Sequence, residues 1–265
     1  MTKVLYHANC NDGFCAAWVA RKRHPNAEFI PVNYGEKVPE NLSGCDVYVL
    51  DFSYPREVLI PLARSCSGIV VLDHHKTAEA ELRDLPFCIF DMDKSGCRLA
   101  WEHFFGWATV PWLVEYCEDR DLWRHELPQS HEVNAWISSW PRTFEVWDGF
   151  PESVTNEMVA GGTSILRFRD QLVDQALEHR CKMVIAGHEV EVVHTTVFFS
   201  EVAGKLAETN AFGATWYATE DGKYKFSLRS RGDFDVSAVA KAYGGGGHKN
   251  AAGFTVGVLP DRRSP

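Results

Sequence analysis

Two short apolar runs constrain the fold more than any other feature. DVYVLDFS (46–53) and GIVVLDHH (68–75) are rich in β-branched residues and lack the polar alternation of a half-exposed strand. Between them, PREVLIPLARSC (55–66) reads as a helix with proline at its first position. Strands apolar on both faces, alternating with helices, belong to a parallel sheet covered on both sides. The alternation begins earlier, with KVLYH (3–7) as a strand, GFCAAWVARKRH (13–24) as a helix and EFIPVNY (28–34) as a strand weakened by Pro31. It continues with FCIF (87–90) and a helix capped from Ser95. The expected class is α/β, with an N-terminal parallel-sheet domain.

From about residue 150 the pattern changes. A long amphipathic helix is expected from about Thr163. HEVEVVHTT (188–196), GATWYATE (213–220) and YKFSLRSR (224–231) then alternate with the period of antiparallel strands, and DVSAVAKAY (235–243) reads as a short helix. The expected organisation is a first domain over 1–150, a connecting helical segment over 151–182 and a smaller α+β domain over 183–265.

Composition removes several functional classes. The eight cysteines are scattered without a C-x-x-C pair, which argues for reduced thiols rather than a disulfide frame or zinc knuckle. The formal net charge is −9 and the densest basic run is RKRH at 21–24, so long duplex nucleic acid is not the expected partner. An anionic substrate should be small, or held by metals and a few placed cations. No stretch approaches the apolar length of a membrane span, and MTKVLYHANCNDGF lacks a signal-peptide apolar core. A soluble, cytoplasmic protein is expected.

The chemistry collects where predicted strands end, which in open parallel sheets is where ligands bind. The first strand leads to His7 and Asp12, the next strong one to Asp51, and the next to Asp73, His74 and His75. A fourth cluster lies in VEYCEDRDLWRH, where Asp119 and Asp121 follow an apolar run. Alone, each residue reads as a turn, a cap or a hydrogen-bonded core group. Recurrence at one edge of one sheet argues for a metal site. Mixed imidazole and carboxylate donors suit a divalent ion such as Mn2+, and a carboxylate shared by two ions would set them roughly 3.5–4 Å apart.

A second signal is AYGGGGHKNAAGF (242–254). The glycines read either as a flexible linker or as a backbone cradle for an anion, and the flanking helix and strand favour the cradle. His248 would add a donor, and Arg229 a cation for phosphate or carboxylate. The tryptophans clustered between 101 and 147 read as helix packing.

With these residues in view, the chain resembles the DHH/DHHA1-family phosphoesterases. HANCNDG stands for the first motif, DFS for the second, DHH at 73–75 for the third, EDRDLW for the fourth and GGGGHKNAAGF for the DHHA1 signature. They run in the family's order from residue 7 to 254. The resemblance implies a DHH domain, a connecting helix and a DHHA1 domain. It implies two metal ions, Mn2+ with Mg2+ as the alternative, held by His7, Asp12, Asp51, His74 and Asp119, with Asp51 bridging. Asp73 would orient the histidine, and His75 would face the phosphate. Arg229, Gly245, Gly246, Gly247 and His248 would hold the substrate's far end. One departure stands out: Cys10 occupies a place where the family usually carries a carboxylate. It is either a soft ligand or a missing charge.

The expected reaction is hydrolysis of a phosphodiester by a two-metal-activated hydroxide, releasing mononucleotides from short single strands. The resemblance also covers cyclic and linear dinucleotides, adenosine bisphosphate and polyphosphate as substrates. A nucleotide-binding protein with a degraded metal site is the reading from another class, and Cys10 is its support. Nothing in the sequence fixes an oligomeric state.

Overall fold

The computed structural model describes residues 1–260 and the backbone of 262 and 263. It divides the chain into two units, Met1–Leu166 and Arg167–Pro265. The first unit begins with β1 (Thr2–His7), α1 (Asn11–Arg23), β2 (Glu28–Val32), β3 (Asp46–Leu50), α2 (Arg56–Ser65), β4 (Gly68–Asp73), α3 (Lys76–Leu82) and β5 (Cys88–Phe90). Four helices follow: α4 (Gly96–Phe105), α5 (Trp112–Asp121), α6 (Ser130–Ser138) and α7 (Phe144–Asp148). The division then falls inside α8 (Asn156–Leu177).

The five strands pair in the order β2-β1-β3-β4-β5, all parallel. Pro31, which cannot donate to a ladder, sits in edge strand β2. The pleat sends alternate side chains into two cores. Val4, Leu50 and Leu72 join the layer containing Phe14, Cys97, Leu99, Cys117 and Trp147, from α1, α4, α5 and α7. Leu5, Val47, Val49 and Val71 join Leu59, Leu62 and Leu82 from α2 and α3 on the other face. Each fully buried apolar side chain contributes about 1.5–3 kcal/mol relative to exposure, so both faces are held.

Helix α8 starts at Asn156, earlier than the pattern predicts. The pair Gly161-Gly162 lies inside the helix and serves close packing: a Cβ at Gly162 would lie 1.9 Å from the carbonyl oxygen of Glu132. The hydroxyl of Thr155 accepts the Met158 amide and supplies the start signal.

The second unit adds β6 (Cys181–Ile185), β7 (His188–His194), α9 (Phe199–Leu206), β8 (Gly213–Ala218), β9 (Tyr224–Arg229), α10 (Val236–Ala242), β10 (Gly246–His248), β11 (Ala251–Val256) and β12 (Arg262–Arg263). Its sheet runs β10-β11-β9-β8-β7-β6-β12. All pairs are antiparallel except β7 with β8, which α9 separates along the chain. A period-2 pattern marks strands but not their direction, so the parallel pair was hidden in the sequence. Met183, Val190, Phe212, Phe226, Leu228 and Phe254 form the centre of this unit's core. No helix among the described residues is long and apolar enough to cross a membrane. All eight cysteines are free thiols.

Candidate metal centre

In the first unit's sheet, the order reverses beside β1: β2 lies on one side of it and β3 on the other. Such a reversal leaves a crevice at the carboxyl ends of the two central strands. His7 closes β1, Asp51 immediately follows β3, and Asp73, His74 and His75 close and follow β4. Asn9 takes a left-handed turn at φ 58° and leads into Cys10, the N-cap of α1, which places Asp12 in the first turn of that helix.

Asp51 is the hub. One of its carboxylate oxygens is 3.1 Å from Nε2 of His74, and the other is 3.3 Å from Nδ1 of His7. Its backbone is held at φ 62°, in the left-handed region, with its amide donating to Leu72 of β4. A non-glycine residue held there costs energy that the surrounding structure must offset, and such residues gather at functional sites. Asp12 is buried and accepts the amides of Gly96 (2.6 Å) and Cys97 (2.8 Å) at the start of α4. Its carboxylate also lies 3.7 Å from Nε2 of His74. Gly96 must be glycine, because a Cβ there would stand 2.5 Å from Cβ of Asp51 and 2.9 Å from its Oδ1.

Asp73 is fully buried and organises the two histidines. Its Oδ1 accepts the backbone amide of His74 at 2.7 Å and Nδ1 of His75 at 2.6 Å, while Oδ2 accepts the Ser53 hydroxyl at 2.6 Å. It therefore orients the ring of His75 and only the backbone of His74. Tyr34, absent from the sequence-based set, packs its ring edgewise against His7 at 4.8 Å and is about half exposed (54%).

One expected ligand lies elsewhere. Asp119 is turned away from the cluster: its Oδ1 accepts the Glu126 amide at 2.9 Å and its Oδ2 the Ser130 hydroxyl. The carboxylate that reaches the centre is Asp121, whose oxygen is 3.5 Å from Nε2 of His74. Helix geometry explains the exchange. Two residues apart is about 200° around a helix, so Asp119 and Asp121 cannot share a face. Asp121 follows Cys117 by four residues, on the face that packs with α1 and α4, whereas Asp119 follows Tyr116 by three, towards α6. The spacing is in the sequence, but which face of α5 meets α1 and α4 is set by packing.

Three donor sets result, each with ligand atoms within 4.8 Å of one another: His7, Cys10 and Asp51; Asp51, His74 and His75; Asp12, His74 and Asp121. The electrostatics show what the cluster lacks. Burial and the neighbouring carboxylate of Asp51 push Asp121 up to about 6, and burial with Asp51 and Asp121 drives Asp12 well above the carboxylate range. Burial acts against the charge on His74, yet its bond to Asp51 and the charges of Asp12 and Asp121 push it up to about 10. Burial likewise opposes the charge on Asp51, but His7 and His74 hold its carboxyl below the usual range. Burial opposes the charge on His75 as well, but Asp73 raises it above the ordinary imidazole value. Three carboxylates around one buried imidazole call for positive charge. A proton on His74 meets part of that demand, and divalent cations with oxygen and nitrogen ligands would meet it more fully.

In the second unit, the glycine-rich segment is no linker. Gly246–His248 form edge strand β10, and His248 pairs with Ala251, which pairs in turn with Arg229 on β9. His248 and Arg229 therefore stand in one row across three strands. Gly245 precedes the strand, leaving the row's backbone bare of side chains at 245–247. One guanidinium nitrogen of Arg229 donates to the Ser200 hydroxyl at 2.6 Å, and its Nε is buried without a partner.

Comparison with known proteins adds the following. Residues 193–261 match the DHHA1 domain family. The uncharacterized protein R106 of Acanthamoeba polyphaga mimivirus is 30% identical over 290 residues, spanning 97% of this chain and 69% of R106. Oligoribonuclease NrnB of Bacillus subtilis (strain 168) is 29% identical over 97 residues, which is 35% of this chain and 24% of NrnB. RecJ of Thermus thermophilus, solved in complex with Mn2+, has a similar fold with a TM-score of 0.52 at 14% identity, over 96% of this chain and 49% of RecJ. The pGpG-specific phosphodiesterase PggH of Vibrio cholerae has a TM-score of 0.51 at 14% identity, over 97% of this chain and 93% of PggH. At that identity both structures speak for the fold alone.

Proposed function

The chain belongs to the DHH/DHHA1 phosphoesterase superfamily, and from that premise we propose that it is a divalent-metal-dependent phosphodiesterase that releases mononucleotides from short single-stranded oligonucleotides. The observation that carries this reading is Asp51. It is a buried carboxylate whose two oxygens face two different histidines, and it belongs to two of the three donor sets at once.

In this reading His7, Asp51, His74, Asp12 and Asp121 hold two ions, Mn2+ with Mg2+ as the alternative. Bound there, such ions would lower the pKa of water and polarise the phosphoryl oxygens. Asp73 fixes the ring of His75 through the 2.6 Å bond to Nδ1 and favours its protonated form. His75 would then donate to a phosphoryl oxygen as negative charge grows on it. Asp12, anchored on the amides of Gly96 and Cys97, keeps its carboxylate in place without help from a mobile side chain. In the second unit, Arg229, Gly245, Gly246, Gly247 and His248 are assigned to the part of the substrate that does not react. The guanidinium of Arg229 would supply the cation for a phosphate oxygen there.

Support for an oligonucleotide comes from NrnB, whose name is that of an oligoribonuclease, and from the net charge of −9, which disfavours long phosphate tracts. The test is a panel: a five-nucleotide RNA and its DNA counterpart, a linear dinucleotide, a cyclic dinucleotide, adenosine bisphosphate and polyphosphate, each with Mn2+. Mononucleotides released fastest from the five-nucleotide strand are the expected result. Turnover confined to dinucleotides, bisphosphate or polyphosphate would overturn the substrate assignment while leaving the phosphoesterase reading intact. Binding of nucleotides with turnover of none would overturn both.

A further inference from the structure

We propose that Cys10 is a metal ligand, and that its thiolate makes the His7–Cys10–Asp51 position selective for a thiophilic divalent ion of the Zn2+, Co2+ or Fe2+ kind. The inference rests on the metal-centre reading above and assigns a chemical preference within it.

The first observation is position. Cys10 is the N-cap of α1, where serine, threonine, aspartate or asparagine would bond an amide of the first turn. Its sulfur makes no cap bond of normal geometry, and the nearby Gly13 amide only partly offsets the upward push of burial, Asp51, Asp12 and Asp121 on the thiol, a push that a bound cation would relieve. Its backbone carbonyl begins the helix by accepting the Phe14 amide, so the backbone does the structural work and the sulfur is left to the cluster. The left-handed turn at Asn9, pinned by its amide group on Asn33 at 3.3 Å, fixes the direction in which Cys10 leaves the strand. The second observation is company. The sulfur lies within 4.8 Å of ligand atoms of both His7 and Asp51, two groups from β1 and the end of β3. Cys10 is thus one of three convergent donors and not a solitary thiol.

The donor chemistry then separates the positions. Asp12, His74 and Asp121 offer oxygen, nitrogen and oxygen, and Asp51, His74 and His75 offer one oxygen and two nitrogens. Both suit Mn2+. The His7–Cys10–Asp51 set alone contains sulfur. Thiolate favours softer and more polarising ions over Mg2+, Ca2+ and Mn2+, which prefer carboxylate, carbonyl and water. With Mn2+ alone the centre can hold two like ions, but offered a choice this position should take the softer one, with Asp51 shared between the two. Ligation requires the thiolate, so binding releases the thiol proton to solvent.

Cobalt tests this directly, because it is coloured by its ligands. The full chain, freed of metal with a chelator, is titrated with Co2+ while absorption is followed in the visible and near ultraviolet. Visible bands report Co2+ bound by any donors, and an intense near-ultraviolet band reports a sulfur–cobalt bond. The expected result is both bands in the wild type, with the near-ultraviolet band lost in Cys10→Ser and Cys10→Asp. Zn2+ should displace this ion and Mg2+ should not. Cys10→Asp should also bind Mn2+ more tightly than the wild type does. Visible bands without the near-ultraviolet band, or a band that survives in Cys10→Ser, would overturn the role of Cys10 and leave the metal centre standing. No Co2+ bound at all would overturn both. Should the variants fail to fold, alkylation mapped by mass spectrometry in the wild type gives the answer without substitution. Zn2+ should protect Cys10 from the reagent, and equal labelling with and without Zn2+ would contradict the proposal.

Discussion

Asp51 and His74 are joined by a 3.1 Å contact between a carboxylate oxygen and Nε2, both groups buried and both belonging to two donor sets. The pair links strand β3 to strand β4 beside the crevice that opens between β1 and β3. Asp51→Asn keeps the shape of the side chain and removes the charge that faces both histidines. Loss of outer partners of metal ligands costs about 10–100-fold in affinity or activity, so loss of the hub carboxylate should exceed about 100-fold. Mn2+ titration by calorimetry and turnover of a short RNA are the measurements. A variant with near-normal affinity would show that Asp51 is not the shared ligand.

Asp119 and Asp121 separate structure from chemistry. Asp119→Ala removes a carboxylate that accepts from the Glu126 amide and the Ser130 hydroxyl, leaving the buried Ser130 donor without this acceptor at about 1–3 kcal/mol. It should lower the urea midpoint while the folded protein keeps its metal affinity. Asp121→Ala removes a carboxylate crowded against others and should leave stability equal or higher, yet weaken Mn2+ binding about tenfold or more. The opposite pattern would restore Asp119 as the ligand.

Gly96→Ala should disable the centre through packing. The added Cβ would lie 2.5 Å from Cβ of Asp51, forcing apart the carboxylate and the amide that holds Asp12. Overpacking of this kind costs about 1–3 kcal/mol, read as a lower urea midpoint, together with a fall in Mn2+ affinity. Unchanged affinity would mean that α4 can retreat without disturbing Asp51.

Without metal, the protein should lose stability as pH rises. The imidazole of His74 is raised from 6.5 to about 10, so its contribution is complete below pH 6.5 and is lost as pH climbs through about 10. Asp121, raised from 3.8 to about 6, adds a loss of the same sign at lower pH, because the folded state holds its proton longer. Melting of metal-free wild type and His74→Asn at pH 6.5 and at about pH 9 reads the difference. The wild type should fall more than the variant. Equal slopes would remove His74 as the cluster's proton holder.

Much of this architecture was legible in the sequence. The runs DVYVLDFS and GIVVLDHH are apolar on both faces, and both became central strands of a parallel sheet with ligand types at their ends. Their chemistry was readable because parallel strands deliver their carboxyl ends to one edge. What stayed hidden depends on three-dimensional contact. The parallel β7–β8 pair follows from how α9 returns the chain, and alternation alone carries no direction. The early start of α8 depends on packing, in which Gly161 and Gly162 allow close approach to Trp136 and Glu132. The choice of Asp121 over Asp119 needed the helix phase set by Cys117. Tyr34 lay in a strand-edge loop with no pattern to mark it as a neighbour of His7.

Metal-dependent nuclease activity at the Asp51–His74 centre is tested by cleavage of a 5′-labelled five-nucleotide RNA by the full chain with Mn2+, with chelator, and in an Asp51→Ala, His74→Ala double variant. A ladder of shortened products that needs Mn2+ and is absent from the variant is the expected result. Intact RNA with the metal-loaded wild type would contradict the nuclease assignment, and cleavage that persists in the double variant would place the chemistry away from the Asp51–His74 centre.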